Sequence, residues 1–122
     1  MESTLLDHQQ LESFIDLGFD DYLDLLGDVI HDVPGHLAHL RAAIQQGDSR
    51  ELNACAHSLR GMLSYFGCVA MTDRLARMEH HESVVPDQAA ATHSELHSLW
   101  EKSLAAIKAW EKSVPGFAPA DG

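Results

Sequence analysis

The chain has 122 residues, a length that fits one domain with one core. Its 45% hydrophobic and 22% charged residues are the mix of a globular protein, not of a disordered one. Nineteen Asp and Glu stand against eight Lys and Arg, a net charge of -11 that repels phosphate backbones and anionic lipid and argues against nucleic acid and membrane surfaces as partners.

Apolar residues recur at steps of three and four almost throughout, which predicts an all-α fold. Leu11, Phe14 and Ile15 mark a short first helix that Gly18 ends. The next stripe, Tyr22, Leu23, Leu26, Ile30, Val33, Leu37, Leu40 and Ile44, is one face of a long helix. Pro34 lies inside it and predicts either a kink or a break with the helix restarted at Pro34. Gln45-Gln46-Gly47 closes this helix, and Asp48-Ser49-Arg50-Glu51 offers an N-cap with an acidic residue three positions on. The third helix is predicted from Asp48 to about Phe66, with Gly67 as its stop, and Met71, Leu75 and Met78 mark a fourth. A linker at Ser83-Val84-Val85-Pro86-Asp87 leads to the last amphipathic helix, marked by Leu96, Trp100, Leu104, Ile107 and Trp110. The expectation is an antiparallel up-and-down four-helix bundle with a short N-terminal capping helix over residues 5–113, followed by a flexible C-terminal tail over 114–122.

No window approaches the roughly 20 apolar residues of a spanning helix. Met1-Glu2-Ser3-Thr4 lacks the order of a signal peptide, so the expected compartment is the cytoplasm. Cys55 and Cys68 belong to no Cys-x-x-Cys pair and read as reduced packing residues.

The third helix carries the most informative pattern. At about 100° per residue, Leu52, Cys55, Leu59, Met62, Leu63 and Phe66 point toward the pole opposite His57 and are expected in the core. Within about 60° of His57 lie Asn53, Ala54, Arg60, Gly61 and Ser64, all small or polar apart from the cation. A histidine thus stands on an accessible face with a positive charge one turn away. Ala56 and Ser64 cannot pair with Arg60 along the helix, so its partner must lie elsewhere. Gly61 costs about 1 kcal/mol against alanine in mid-helix, which points to something that approaches the backbone there.

Other constellations are weaker. His93 and His97 are four residues apart and His36 and His39 three apart, but no glutamate has a histidine three residues later, the pairing a di-iron bundle uses. His80-His81 faces two directions. Solvated faces account for these residues, and no metal site is expected. Asp20, Asp21, Asp24, Asp28 and Asp32 read as a solvated acidic face that favours the positive end of its helix. No Gly-x-x-x-x-Gly-Lys loop is present, so a nucleotide-dependent kinase is not expected.

Ala56-His57-Ser58-Leu59-Arg60-Gly61 followed by Gly67 resembles the signature of histidine-containing phosphotransfer (HPt) domains, Ala-His-x-Leu-Lys-Gly with a further glycine ten residues after the histidine. The likeness extends over roughly Leu5 to Ser113. Ala42, Gly47-Asp48 and Met78-Glu79 sit where members carry similar residues. The resemblance implies a phosphorelay intermediate without enzymatic activity of its own. His57 would accept a phosphoryl group from a receiver-domain aspartate and pass it to another. Arg60 would replace the lysine that steadies the phosphoryl group, and Gly61 would give the partner room. Arginine keeps that charge but offers a planar fork in place of a point charge. Asn53, Ala54 and Ser64 would complete the docking face. The implied partners are receiver domains of response regulators or hybrid kinases, which would bring Mg²⁺; no cofactor is expected in this chain, and the chain is expected to be monomeric. A module that binds and sequesters a receiver without accepting phosphate is the alternative reading.

Overall fold

The computed structural model describes residues 5–80 and 85–115, without the His80 side chain. These residues form five α-helices: α1 (His8–Ile15), α2 (Phe19–Gln45), α3 (Ser49–Ser64), α4 (Val69–His80) and α5 (Ala89–Glu111). A single 3-10 turn, Pro86–Gln88, precedes α5, and there is no strand among the described residues. Residues Ser83 and Val84 of the expected linker, the His80-His81 pair and positions 116–122 of the expected tail lie outside this description.

Local chemistry sets the helix ends. The Asp7 carboxylate accepts from the backbone N–H of Gln9 at 3.0 Å and starts α1, and Asp48 accepts from that of Glu51 at 3.1 Å and starts α3. The third helix ends where Gly67 takes a φ of 63°. There the N–H of Gly67 bonds the Ser64 carbonyl at 3.1 Å and that of Cys68 bonds Leu63 at 3.3 Å, the two bonds of a Schellman stop. Gly47, with a φ of 66°, closes α2 through the same pair of bonds, to Ile44 and from Asp48 to Ala43.

Gly67 has a second task. The N–H of Asp7 donates to its carbonyl at 2.7 Å, and a Cβ at this position would run into the Asp7 backbone carbonyl. The segment before α1 is therefore laid across the α3–α4 turn, a placement that only glycine leaves room for.

The helix α2 runs unbroken through Pro34, so of the two expected outcomes, a kink or a break, the break does not occur. Interior proline costs about 3 kcal/mol. Val33 and Leu37, both buried, flank it, and burial of such side chains stabilises by about 1.5–3 kcal/mol each, enough to hold the helix through the missing bond. Met62 also departs from expectation: it is half-buried at the margin of the core, while Leu52, Cys55, Leu59, Leu63 and Phe66 are buried.

The four longer helices enclose one core. The α2 helix packs on α3 and α5, and α4 packs on the same two. Cys55 Sγ donates to the His36 carbonyl and His39 Nε2 lies 3.3 Å from Glu51 Oε1, so α2 and α3 run in opposite senses. Arg74 clamps α4 to α5, its Nε 2.9 Å and its Nη2 3.3 Å from the Glu95 carboxylate. At the α1 end, Phe14, Tyr22 and Phe66 pack ring against ring with centroids 5.3–5.8 Å apart. The buried Tyr22 hydroxyl donates to Glu111 Oε2 at 2.8 Å, which ties the start of α2 to the end of α5 and satisfies a carboxylate only 3% exposed. Burial and the Glu111 carboxylate push the Tyr22 phenol well above its usual range. A cavity of about 320 Å³ opens at this end between α1 and the last turn of α5, with Ile15, Trp110 and Val114 in its wall.

Candidate functional site

The outward face of α3 carries the candidate residues together. Asn53, Ala54, His57, Gly61 and Ser64 are exposed, and Arg60 is half-buried. This follows from the helix register: with Leu52, Cys55, Leu59 and Leu63 buried, the residues half a turn away have nowhere to point but outward. Among the described residues nothing comes within 4 Å of where a Gly61 Cβ would stand. The glycine therefore serves no helix crossing inside the bundle. The Ser64 hydroxyl is turned inward to its own helix, donating to the Gly61 carbonyl at 2.9 Å.

The His57 side chain is 76% exposed, yet its ring is held. Nδ1 lies 3.3 Å from Oε1 of Glu79, on α4, a carboxylate whose side chain is only 12% exposed. An ionised carboxylate can only accept, so the contact calls for the proton on Nδ1, and in the neutral ring the lone pair then sits on Nε2, the ring atom furthest from the backbone. The ring makes no second polar contact among the described residues.

Glu79 does more than orient the imidazole. Its other oxygen, Oε2, accepts from Arg60 Nη1 at 2.5 Å. A single carboxylate thus holds both the histidine and the cation one turn along, which supplies the partner that α3 could not offer Arg60. In the sequence, Glu79 stands where HPt domains carry similar residues, with nothing to indicate its contacts. The pairing joins residues 22 and 19 positions apart on different helices, beyond the reach of periodicity.

The site is a nucleophilic imidazole nitrogen facing solvent, a guanidinium beside it and a bare backbone at Gly61. That arrangement can take a phosphoryl group and steady its charge. The neighbouring thiol does not compete. Burial, with help from Glu51, pushes Cys55 up to about 11, and burial pushes Cys68 up to about 12, so both stay as thiols at neutral pH. No cluster of three or more His, Cys, Asp or Glu able to hold a metal ion occurs among the described residues. His93 and His97 stack with ring centroids 6.2 Å apart, and desolvation, Arg41 and His97 together lower the His93 imidazole below its usual range. No helix in the described residues is long and apolar enough to cross a membrane.

Against known families, the Hpt domain model matches residues 24–110, a span that takes in most of α2, all of α3 and α4, and all of α5 except Glu111. No curated protein and no solved structure matches the chain.

Proposed function

The chain belongs to the Hpt domain family, and from that premise we propose that it is a phosphorelay intermediate whose phosphoryl carrier is His57. Histidine phosphotransfer in two-component phosphorelays is the family's role. The observation that supports His57 as the carrier is its ring: Nδ1 engaged by Glu79, Nε2 outward, with Arg60 and the open backbone of Gly61 alongside.

In the proposed reaction the Nε2 lone pair attacks the phosphorus of an aspartyl phosphate on a receiver domain. A P–N bond forms as the P–O bond to the receiver's carboxylate breaks, and the electron pair of that bond leaves with the carboxylate. The Nδ1 proton stays on the ring, held toward Glu79 throughout. Onward transfer is the reverse with a second receiver, whose carboxylate attacks phosphorus while the P–N electron pair returns to Nε2. The receivers supply Mg²⁺ and the acidic pocket. This chain supplies the nucleophile, the Arg60 charge and the docking face formed by Asn53, Ala54, Gly61 and Ser64, so positioning and electrostatics do most of the catalysis.

The test is labelling by phosphorylated receiver domains. His57→Gln is expected to abolish label while helicity by circular dichroism stays as in the wild type, and the wild-type label is expected to survive alkali and be lost in acid. Label that persists in the variant removes His57 as the carrier. Receiver binding with no label in the wild type leaves the sequestering module in its place.

A further inference from the structure

Resting on the reading of His57 as the phosphoryl carrier, we propose that Glu79 restrains Arg60, its carboxylate competing with the phosphoryl group for the guanidinium and so limiting the lifetime of the phosphohistidine. Three observations meet in this. Arg60 is a half-buried cation whose one polar contact among the described residues is the Glu79 carboxylate. Glu79 is mostly buried and touches His57 at the same time. Arg60 follows His57 by one turn on the same face of α3, within reach of a group carried on Nε2.

A guanidinium has five N–H donors but one positive charge. While Nη1 lies on Oε2, that charge is offset by a mostly buried carboxylate, where the attraction is stronger than between two fully exposed groups. An arriving phosphoryl dianion must either draw Arg60 off Glu79 or share it. Sharing leaves the dianion partly compensated, and withdrawal breaks the Arg60–Glu79 pair. Either way the phosphorylated state is less stable than it would be with Arg60 unopposed. Such a carrier gives up its phosphoryl group readily, whereas one with a free arginine would store it. Glu79 here is a positioning residue: it does not touch the phosphoryl group, and beyond holding the Nδ1 proton it acts through Arg60.

The experiment is a double-mutant cycle on the full chain, loaded with phosphoramidate so that no receiver is needed, with Glu79→Gln, Arg60→Gln and the double variant beside the wild type. Phosphoramidate transfers its phosphoryl group to Nε2 with loss of ammonia. The readout is the half-life of the phosphohistidine in buffer, during which water attacks phosphorus and the P–N electron pair returns to the ring. Glutamine keeps the size of the side chain and an oxygen for the Nδ1 proton, while the charge and the acceptor facing Arg60 are removed. Glu79→Gln is expected to lengthen the half-life roughly three- to tenfold when Arg60 is present and to leave it unchanged in the Arg60→Gln background. An equal lengthening in both backgrounds would show a direct repulsion between Glu79 and the phosphoryl group and overturn the proposal, as would no change or a shortening. Circular dichroism of all four proteins separates loss of fold from loss of lifetime: if Glu79→Gln unfolds the bundle, Glu79 is a structural residue and the proposal falls. Wild-type protein that takes no label on His57 overturns the carrier reading itself, whereas a labelled wild type with an additive cycle sinks only the role of Glu79.

Discussion

Arg60 and Gly61 are neighbours in sequence with opposite relations to the bundle. The arginine is drawn down to Glu79 on the next helix, while the glycine faces open space. A Cβ at residue 61 therefore meets no atom among the described residues, but a side chain there meets whatever approaches His57. Gly61→Ala is expected to leave the melting temperature unchanged or raise it, by up to about 1 kcal/mol of stability. Transfer from a phosphorylated receiver is expected to fall as the side chain grows from Ala to Leu to Glu, with the carboxylate worst because it repels the phosphoryl group and competes for Arg60. Transfer rates and thermal melts on the same preparations check both halves. A Gly61→Leu protein that unfolds yet transfers normally per folded molecule would give the glycine a packing role.

Among the connections between elements, the α3–α4 turn is the least tolerant. Gly67 combines a left-handed backbone, a donor and an acceptor in use, and Asp7 packed where a side chain would stand. Gly67→Ala is expected to cost more than about 2 kcal/mol, since the left-handed conformation alone costs an alanine about 1 kcal/mol and the segment before α1 must also move. Urea unfolding of this variant beside Gly61→Ala measures the contrast between two glycines six residues apart. The turn also shows which features a sequence discloses. Asp48 as a cap, Gly47 and Gly67 as stops and the buried stripe of α3 are local, each fixed by residues within one or two turns, and all could be read from spacing. Continuity through Pro34 depends on how firmly Val33 and Leu37 are buried by other helices, so the local rule left two outcomes open. Met62 is half-buried because the edge of the core depends on where the neighbouring helices lie, which angles on α3 alone do not contain. The contact of Glu79 with His57 and Arg60 is invisible for the same reason, requiring the relative height of two helices.

Across the whole molecule, charge and topology act at longer range. A net charge of -11 on a bundle this small works against compaction through self-repulsion. Raising NaCl from about 20 to about 200 mM shortens the Debye length from roughly 20 to under 10 Å and is expected to raise the melting temperature by a few degrees. A melting temperature that falls with salt would mean that ion pairs such as Arg74–Glu95 outweigh the repulsion. Topology places both ends of the described chain at one pole. Leu5 and Asp7 bond to Ala70 and Gly67 there, and Val114 shares a cavity wall with Ile15. His57 lies roughly 12 Å up the bundle, about two helical turns before the α3–α4 turn. A domain fused to either end is thus tethered below the His57 face without lying across it. A spacer of about ten residues reaches up to roughly 35 Å, enough to bring such a domain alongside His57 at an effective concentration in the millimolar range. Joined in that way, carrier and receiver would exchange phosphate within one molecule, and the rate would depend on spacer length instead of protein concentration.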